Sequence, residues 1–281
     1  MKPIKIIALD LDGTLLNSEK KLSDRSREAL TACARLGIHI VPTTGRAAAG
    51  VPSQVLSLPG VRYAITTNGG TVADLKTGAV LDRRTISNSQ ALRLLYAADR
   101  YDVMYDPYIE GRGITQPQFF NHMERYHLTP VLQEMVRATR DVVPNILEYV
   151  ERCGCQVEKI NVFAADPKER EALRQEFSRE PGIVITSSMP NNLEVNAESA
   201  TKGRALMWLA DYLGVDRGAT MAFGDGENDV SMIRAAGMGI AMENGIEAVK
   251  QAADYITAAN DEDGVAAALE RFILDGGRGT E

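Results

Sequence analysis

An apolar run that ends in two aspartates, IIALDLDG, is the feature that most constrains the fold. The run from Ile4 to Leu9 is almost continuously apolar, which is typical of a strand buried on both faces of a parallel sheet. Asp10 and Asp12 follow it, and Gly13 allows the backbone to turn away. Ligands of open parallel sheets bind at the carboxyl ends of the strands. The stretch therefore predicts an α/β fold with two carboxylates at its ligand-binding edge.

Strands and helices alternate in two parts of the chain, and a segment with a different pattern separates them. The separating segment carries most of the tyrosines, together with mixed helices and strands, but no comparable cluster of acids. We therefore predict a doubly wound, mainly parallel, Rossmann-like core formed by residues 1–85 and 189–281, with an inserted α/β domain at residues 86–188. The core elements predicted from periodicity and turn signals are strands at 4–9, 38–41, 63–70 and 220–223, helices at 23–36 and 201–213, and a hairpin at 71–86.

Reactive side chains stand at several of these strand ends. A lone Lys202 begins the helix after the insertion, where free backbone N–H groups already favour an anion. Carboxylates that converge without a cation repel one another, so a bound metal ion is expected, and oxygen ligands beside a lysine indicate magnesium. The groups at the strand ends are Asp10 and Asp12, then Thr43, Thr44 and Gly45, then Asp225, Asn228 and Asp229.

Other motif interpretations fail on spacing. GDGEND, at Gly224 to Asp229, begins like a dinucleotide fingerprint, but Asp229 replaces its last glycine. DLDGTL begins like a calcium loop, yet Leu15 and Lys21 stand where glycine and glutamate are needed. The pair Cys153 and Cys155 fits no standard zinc spacing. The remaining alternative is that the acids only cap helices and turns, which any one of the strand ends would permit.

Four motifs in order carry a resemblance to a known family. DLDGT at 10–14, TTGR at 43–46, TKG at 201–203 and GDGEND at 224–229 resemble the motifs of the haloacid dehalogenase superfamily. TNGG at 67–70, the insertion between the second and third motifs, and SMIRAAGMGIAMENGIEAVKQAADYIT resemble its Cof-type phosphatase branch, subfamily IIB. The inserted segment matches only in size and position.

The resemblance implies a role for each matching residue. Asp10 is implied to attack phosphorus and to become an aspartyl-phosphate, and Asp12 to protonate the leaving oxygen and later deprotonate water. Arg46 is either a surface ion-pair residue or a substrate contact. The implied phosphate-binding residues are Thr44, Gly45, Lys202 and Asn68, and the implied magnesium-binding residues are Asp10, Asp12, Asp225, Asn228 and Asp229.

The function implied is a magnesium-dependent phosphatase acting on small phosphorylated metabolites. Sugar phosphates, pyridoxal phosphate and flavin mononucleotide are all plausible substrates for this branch, and the inserted domain is implied to select among them. Asp12 favours phosphate chemistry, because the dehalogenases of the superfamily lack this second aspartate. A phosphomutase remains an alternative, as does, from a different class, a receiver-like phosphoacceptor. Receivers, however, carry their phosphorylated aspartate after the third strand, where this chain has Thr66, Thr67 and Asn68.

Composition narrows the partners and the compartment. The 281 residues carry 31 basic and 38 acidic side chains, and the formal charge of -7 does not favour nucleic acid or an anionic membrane as a partner. No run approaches about 18 apolar residues, and the N-terminus becomes acidic too quickly for a signal peptide. Three cysteines, an odd number, favour reduced thiols and a cytoplasmic protein. The terminal DGGRGTE is typical of a frayed tail.

Overall fold

The structure is a computed structural model, and it describes residues 2–275. The tail predicted at the C-terminus lies outside the described residues from position 276 onward. Two compact units are present. The core unit comprises residues 2–45, 51–82 and 201–275, and the inserted unit comprises residues 46–50 and 83–200. Within residues 2–275, no helix is long and apolar enough to cross a membrane.

The first part of the core unit alternates strands with helices. Helix α1 begins where the sequence predicts, because the Ser23 side chain accepts a hydrogen bond from the backbone N–H of Ser26. Its elements are β1 Ile6–Leu9, α1 Asp24–Arg35, β2 His39–Pro42, α2 Ser53–Leu56, β3 Tyr63–Thr66, β4 Thr71–Asp74 and β5 Ala79–Arg83.

The inserted unit follows in the chain and mixes helices with strands. Its elements are α3 Asn88–Ala98, β6 Val103–Ile109, β7 Arg112–Thr115, α4 Pro117–Phe120, α5 Pro130–Thr139, β8 Arg140–Val142, α6 Ile146–Cys153, β9 Lys159–Ala164, α7 Pro167–Phe177, β10 Ile183–Thr186 and β11 Asn192–Ala197. The remaining elements return to the core unit. They are α8 Lys202–Tyr212, β12 Thr220–Gly224, α9 Val230–Ala235, β13 Met238–Met242, α10 Glu247–Ala252, β14 Tyr255–Thr257 and α11 Gly264–Leu269.

A parallel sheet forms the centre of the core unit. Its strand order is β14-β13-β12-β1-β2, and every neighbouring pair is parallel. Strand β1 is paired on both sides, with Ile6 opposite Thr220 in β12 and opposite His39 in β2. The four residues of β1 are buried, as the apolar run predicts. The carboxyl ends of β1, β2 and β12 therefore meet at one edge of the sheet.

Helices cover both faces of this sheet. Ile7 and Leu9 of β1 pack in one apolar cluster with residues of α1 and α11, while Ile6 and Ala8 pack in another with residues of α8, α9 and α10. Alternate residues of one strand thus belong to two different apolar layers. The predicted doubly wound α/β core is confirmed.

A small second sheet extends the core unit beyond β2. Its order is β3-β4-β5, and β3 pairs with β4 in antiparallel register. Strand β3 joins the parallel sheet through a single parallel bridge, Thr43 to Ile65. The third strand of the prediction therefore lies beside β2, and the predicted hairpin follows it as β4 and β5. The strand ends at Thr66 and not at Gly70 as predicted, because residues 67–69 form a short helical turn.

The inserted unit has its own sheet, with the order β10-β11-β9-β6-β7-β8. Its pairs are antiparallel except for β7 with β8. A buried charged network, which we did not predict from the sequence, lies on these strands. Arg140 pairs with Asp106 at 2.5 Å, and Lys159 pairs with Glu194 at 3.0 Å. No sequence pattern indicates this network, because its members lie on four strands and converge only in the folded sheet.

Candidate active site

The site is built on the carboxyl end of β1. The backbone N–H of Asp10 donates to the Phe223 carbonyl of β12 at 3.1 Å, and the N–H of Leu15 donates back to the Asp10 carbonyl at 3.2 Å. Asp10 is thus fixed between two strand ends, and its side chain is buried. A buried carboxylate needs a charged or hydrogen-bonding partner.

Lys202 is that partner. Its Nζ lies 2.6 Å from Asp10 Oδ1 and 2.5 Å from Asp229 Oδ1, and its side chain has no exposed surface. The helix that carries it starts at a capped end, since the Thr201 side chain accepts a hydrogen bond from the N–H of Arg204. Burial alone would lower the pKa of Lys202, but Asp10 and Asp229 outweigh it and raise that pKa. The two carboxylates therefore favour the charged form of Lys202.

Three carboxylates gather around this single ammonium group. One oxygen from each of Asp10, Asp225 and Asp229 lies within 4.8 Å of the others. Burial, together with the charge of Asp229, raises the pKa of Asp225 to about 6, and burial raises the pKa of Asp10 against the pull of Lys202. Because one cation does not balance three carboxylates, this donor set fits a divalent metal ion with oxygen ligands.

The three carboxylates of the cluster differ in how many of their oxygens are engaged in hydrogen bonds. Asp229 Oδ2 accepts hydrogen bonds from the backbone N–H groups of Asp225 and Gly226, at 3.0 and 2.9 Å, while its Oδ1 contacts Lys202. Both oxygens of Asp229 are therefore engaged, which fits a residue that orients the site. Asp225 receives a hydrogen bond from Thr14 Oγ1 at 2.7 Å through one oxygen, Oδ1. Asp10 and Asp225 are thus better suited to direct metal ligation than Asp229.

Asp12 is more exposed than Asp10 and Asp229. Its Oδ1 forms an ion pair with Lys20 Nζ at 2.9 Å, and about a third of its side chain, 36%, is exposed. Asp10, two residues earlier, has 8% of its side chain exposed. The two carboxyl groups of the DLDGT motif therefore lie in different surroundings.

The ends of β2 and β3 are joined to the site through asparagines. The buried Thr44 donates its N–H to the Ile65 carbonyl at 2.9 Å, and its carbonyl accepts from the N–H of Asn68 at 3.0 Å. Asn68 Oδ1 accepts in turn from Asn228 Nδ2 at 3.0 Å. Thr44, Asn68 and Asn228 are therefore brought together, and Gly45 directly follows Thr44. The backbone φ angles of Thr67 and Asn68 are positive, 50° and 59°, a strained arrangement that tends to occur at functional sites.

Sequence reasoning assigned no role to two residues that contact the predicted site. Thr14 lies inside the DLDGT motif, so its position was a signal that could have suggested a contact with the site. Lys20 reaches Asp12 through a loop eight residues further on, and no motif includes it. Arg46, whose role was left open, belongs to the inserted unit and donates to the Gly50 carbonyl at 2.9 Å.

Gly13 is required by the position of Asp225. A Cβ at residue 13 would lie 2.4 Å from Asp225 Oδ2, and the φ angle of Gly13 is +89°. We expect Gly13→Ala to destabilise the fold by about 1–3 kcal/mol and to weaken divalent-metal binding about tenfold, because Asp225 must move. Chemical unfolding and calorimetric titration with Mg²⁺ measure the two effects.

Gly78→Ala is the matched control for that substitution. Gly78 has a similar φ of +73°, but nothing lies within 4 Å of a Cβ placed there. Backbone strain should lower the free energy of unfolding of Gly78→Ala by about 1 kcal/mol, and its affinity for Mg²⁺ should be unchanged. Equal metal affinity in both variants would contradict the assignment of Asp225 to the metal site.

Comparisons with known proteins identify the family of this chain. The family model of the haloacid dehalogenase-like hydrolases matches residues 7–269. The chain is 32% identical to the 5-amino-6-(5-phospho-D-ribitylamino)uracil phosphatase YcsE of Bacillus subtilis over 96% of each chain. A haloacid dehalogenase-like hydrolase from B. subtilis superposes with a TM-score of 0.85 at 29% identity, over 96% of this chain and 100% of that one. A sugar phosphatase of subclass IIB superposes with a TM-score of 0.81 at 25% identity, over 95% and 98% of the two chains.

The chain belongs to the haloacid dehalogenase-like hydrolase family. The family predicted from the four sequence motifs is thereby confirmed, and so is the predicted enzyme class of a phosphatase of this family.

Proposed function

We propose that this protein is a magnesium-dependent phosphatase that hydrolyses small phosphorylated metabolites through an aspartyl-phosphate on Asp10. The observation that supports this most is the pairing of Lys202 with both Asp10 and Asp229 beside Asp225. A carboxylate nucleophile, a fixed cation for phosphate oxygens and a metal-binding carboxylate are the parts that phosphoryl transfer needs.

The first half-reaction moves the phosphoryl group to Asp10. A carboxylate oxygen of Asp10 attacks phosphorus, and the bond between phosphorus and the ester oxygen breaks. The electron pair of that bond stays on the leaving oxygen, which takes a proton from the carboxyl group of Asp12. The alcohol leaves, and Asp12 remains as a carboxylate.

The second half-reaction clears the intermediate. Water attacks the phosphorus of the aspartyl-phosphate and gives a proton to the Asp12 carboxylate. The bond between phosphorus and the Asp10 oxygen breaks, its electron pair returns to Asp10, and inorganic phosphate is released. Asp12 is protonated again, so the site is ready for the next substrate.

The other residues hold charge and position. Lys202, Thr44, Gly45 and Asn68 would bind phosphate oxygens, and the positive charge of Lys202 would offset charge in the transition state. Asp10, Asp225 and the backbone carbonyl of Asp12 would hold Mg²⁺, with Asn228 and Asp229 completing or orienting that site. When bound, the ion would supply electrostatic stabilisation of the phosphoryl group.

The proposal includes a substrate class, a role for the inserted segment and a cellular location. YcsE acts on a phosphorylated ribityl compound and the subclass IIB relative on a sugar phosphate, which supports phosphorylated sugars or sugar alcohols as substrates here. Pyridoxal phosphate stays a second candidate, because a pyridoxal phosphate phosphatase of Escherichia coli is 26% identical to this chain. Residues 86–188 would select the substrate. A cytoplasmic location is supported by the three free cysteines, Cys33, Cys153 and Cys155.

Incubation with para-nitrophenyl phosphate and a panel of sugar phosphates, with and without Mg²⁺, tests the proposal. We expect phosphate release that depends on Mg²⁺ and stops with a chelator. Absence of metal-dependent release on every compound would refute the phosphatase function. A phosphomutase would instead return a rearranged sugar phosphate with little free phosphate.

A further inference from the structure

We propose that Lys20 is a positioning residue that holds the Asp12 carboxyl group where it delivers its proton to the leaving oxygen. The inference rests on the proposed function, because it assumes that Asp12 is the general acid. The ion pair between Lys20 Nζ and Asp12 Oδ1, 2.9 Å long, is the contact that carries it.

The backbone at Lys20 is held in an unfavourable conformation. Its φ angle is 60°, in the left-handed region that residues with a Cβ seldom adopt. Such residues persist only where the surrounding structure fixes them, and they cluster at functional sites. Lys20 therefore owes its conformation to its neighbours.

Asn17 provides the first constraint on this loop. The N–H of Lys20 donates to the Asn17 carbonyl at 2.9 Å, and the N–H of Asn17 donates to the Lys21 carbonyl at 3.0 Å. The Asn17 side chain accepts from the N–H groups of Glu19 and Lys21, at 3.0 and 2.9 Å. These four bonds close a tight turn around Lys20.

Gln54 of α2 provides the second constraint. Its Nε2 donates to the Lys20 carbonyl at 2.8 Å, and its Oε1 accepts from the N–H of Leu22 at 3.1 Å. One side chain thus grips the backbone on both sides of Lys21. The turn is tied to a helix of the core unit, so the position from which the Lys20 side chain starts is fixed.

A contribution to folding stability does not explain the ion pair between Lys20 and Asp12. About a third of each side chain is exposed, 33% for Lys20 and 36% for Asp12, and such ion pairs add little to folding stability. The neighbouring pair of Lys21 with Glu19 is about twice as exposed, at 70% and 71%, and joins no site residue. Lys202, the other cation of the site, contacts Asp10 and Asp229. Lys202 thus contacts two other carboxylates, whereas Lys20 contacts Asp12 itself and is placed to orient it.

A positioned proton donor matters most when the leaving group is poor. The alkoxide of a sugar, or an unsubstituted phenolate, needs its proton as the ester bond breaks. The para-nitrophenolate ion spreads its charge over the nitro group and leaves with little help. Loss of orientation at Asp12 should therefore slow the first kind of substrate more than the second.

The experiment compares two substrates of nearly the same shape, phenyl phosphate and para-nitrophenyl phosphate, in the presence of Mg²⁺. The ratio kcat/KM reports the steps up to the release of the alcohol and is insensitive to the later hydrolysis of the intermediate. For Lys20→Met we expect kcat/KM to fall about tenfold to a hundredfold with phenyl phosphate. With para-nitrophenyl phosphate it should fall by less than about threefold, since proton transfer contributes little there.

Three further variants complete the test. Lys20→Arg keeps a cation and should recover most of the loss, while Lys21→Met removes the adjacent exposed lysine and should change neither substrate. Gln54→Ala leaves the charges in place but frees the turn, and it should show the same leaving-group dependence. It carries the test if Lys20→Met does not fold.

The outcomes separate this inference from the proposed function. If the unmodified protein hydrolyses both substrates but Lys20→Met and Gln54→Ala slow them equally or not at all, Lys20 has no positioning role while the phosphatase function stands. If the unmodified protein hydrolyses neither substrate nor any sugar phosphate, the phosphatase function itself fails.

Discussion

Asp10→Asn is expected to lower kcat by about 10^4 to 10^6, as losses of catalytic nucleophiles do in other enzymes. An amide in place of the carboxylate does not attack phosphorus, and neighbouring carboxyl groups make other contacts. Asp12 is turned toward Lys20, and Asp229 has both oxygens engaged. Steady-state hydrolysis of para-nitrophenyl phosphate in saturating Mg²⁺ measures the loss.

Asp24→Asn is the matched control for this variant. Asp24 lies exposed in the first turn of α1, so the same chemical change should leave kcat within about twofold, as surface substitutions away from a site generally do. Mass spectrometry of the quenched reaction adds a second readout, because the unmodified protein should carry a phosphoryl group on Asp10 and Asp10→Asn should not. Near-normal turnover by Asp10→Asn would remove Asp10 from the role of nucleophile.

Sequence alone predicted those parts of the site that follow from strand ends. Asp10 and Asp225 come directly after strands of the parallel sheet, and Thr44 comes two residues after the end of β2. Parallel strands end at the same edge, so local pattern was enough to predict that these residues lie at that edge. Helix α1 was predictable for a similar reason, because the hydrogen bond that caps it joins Ser23 to Ser26, only three residues further along the chain. These features depend on local chemistry and on one topological rule.

Contacts that depend on tertiary packing were not predictable in this way. The ion pair of Lys20 with Asp12 requires a turn held by Gln54, which lies far along the chain. The buried pair of Arg140 with Asp106 likewise requires strands β6 and β8 to lie in one sheet. Periodicity indicates which faces of an element are apolar, but it carries no information about which distant polar groups meet.

The same distinction applies to Asp12. The sequence predicts Asp10 and Asp12 at one edge of the sheet, and the structure gives them different surroundings. Asp10 is buried with Lys202 and the acidic cluster, and Asp12 is partly exposed with Lys20. The roles of nucleophile for Asp10 and of proton donor for Asp12, which the family resemblance implies, stay predictions.

Lys202→Met is expected to damage both stability and catalysis. Lys202 is fully buried, and its removal leaves Asp10 and Asp229 without their shared cation, beside Asp225. Breaking one partner of a buried ion pair destabilises a fold by about 3–5 kcal/mol. Loss of a charge that stabilises the transferred phosphoryl group should also lower kcat by at least about 10^2 to 10^3. Urea unfolding and steady-state kinetics measure the two losses.

The pH dependence of the stability loss identifies its cause. Burial already raises the pKa values of Asp10 and Asp225 above those of the unfolded chain, and removal of Lys202 raises them further. Carboxyl groups with raised pKa values oppose folding when they are ionised, so the loss should be larger at pH 8 than at pH 5, where protonation relieves the repulsion. Mg²⁺ should restore more stability to the variant than it adds to the unmodified protein at pH 8.

Lys76→Met, at an exposed lysine of the hairpin, should show none of these effects. A loss of equal size at pH 5 and pH 8, insensitive to Mg²⁺, would mean that Lys202 contributes by packing and not by its charge.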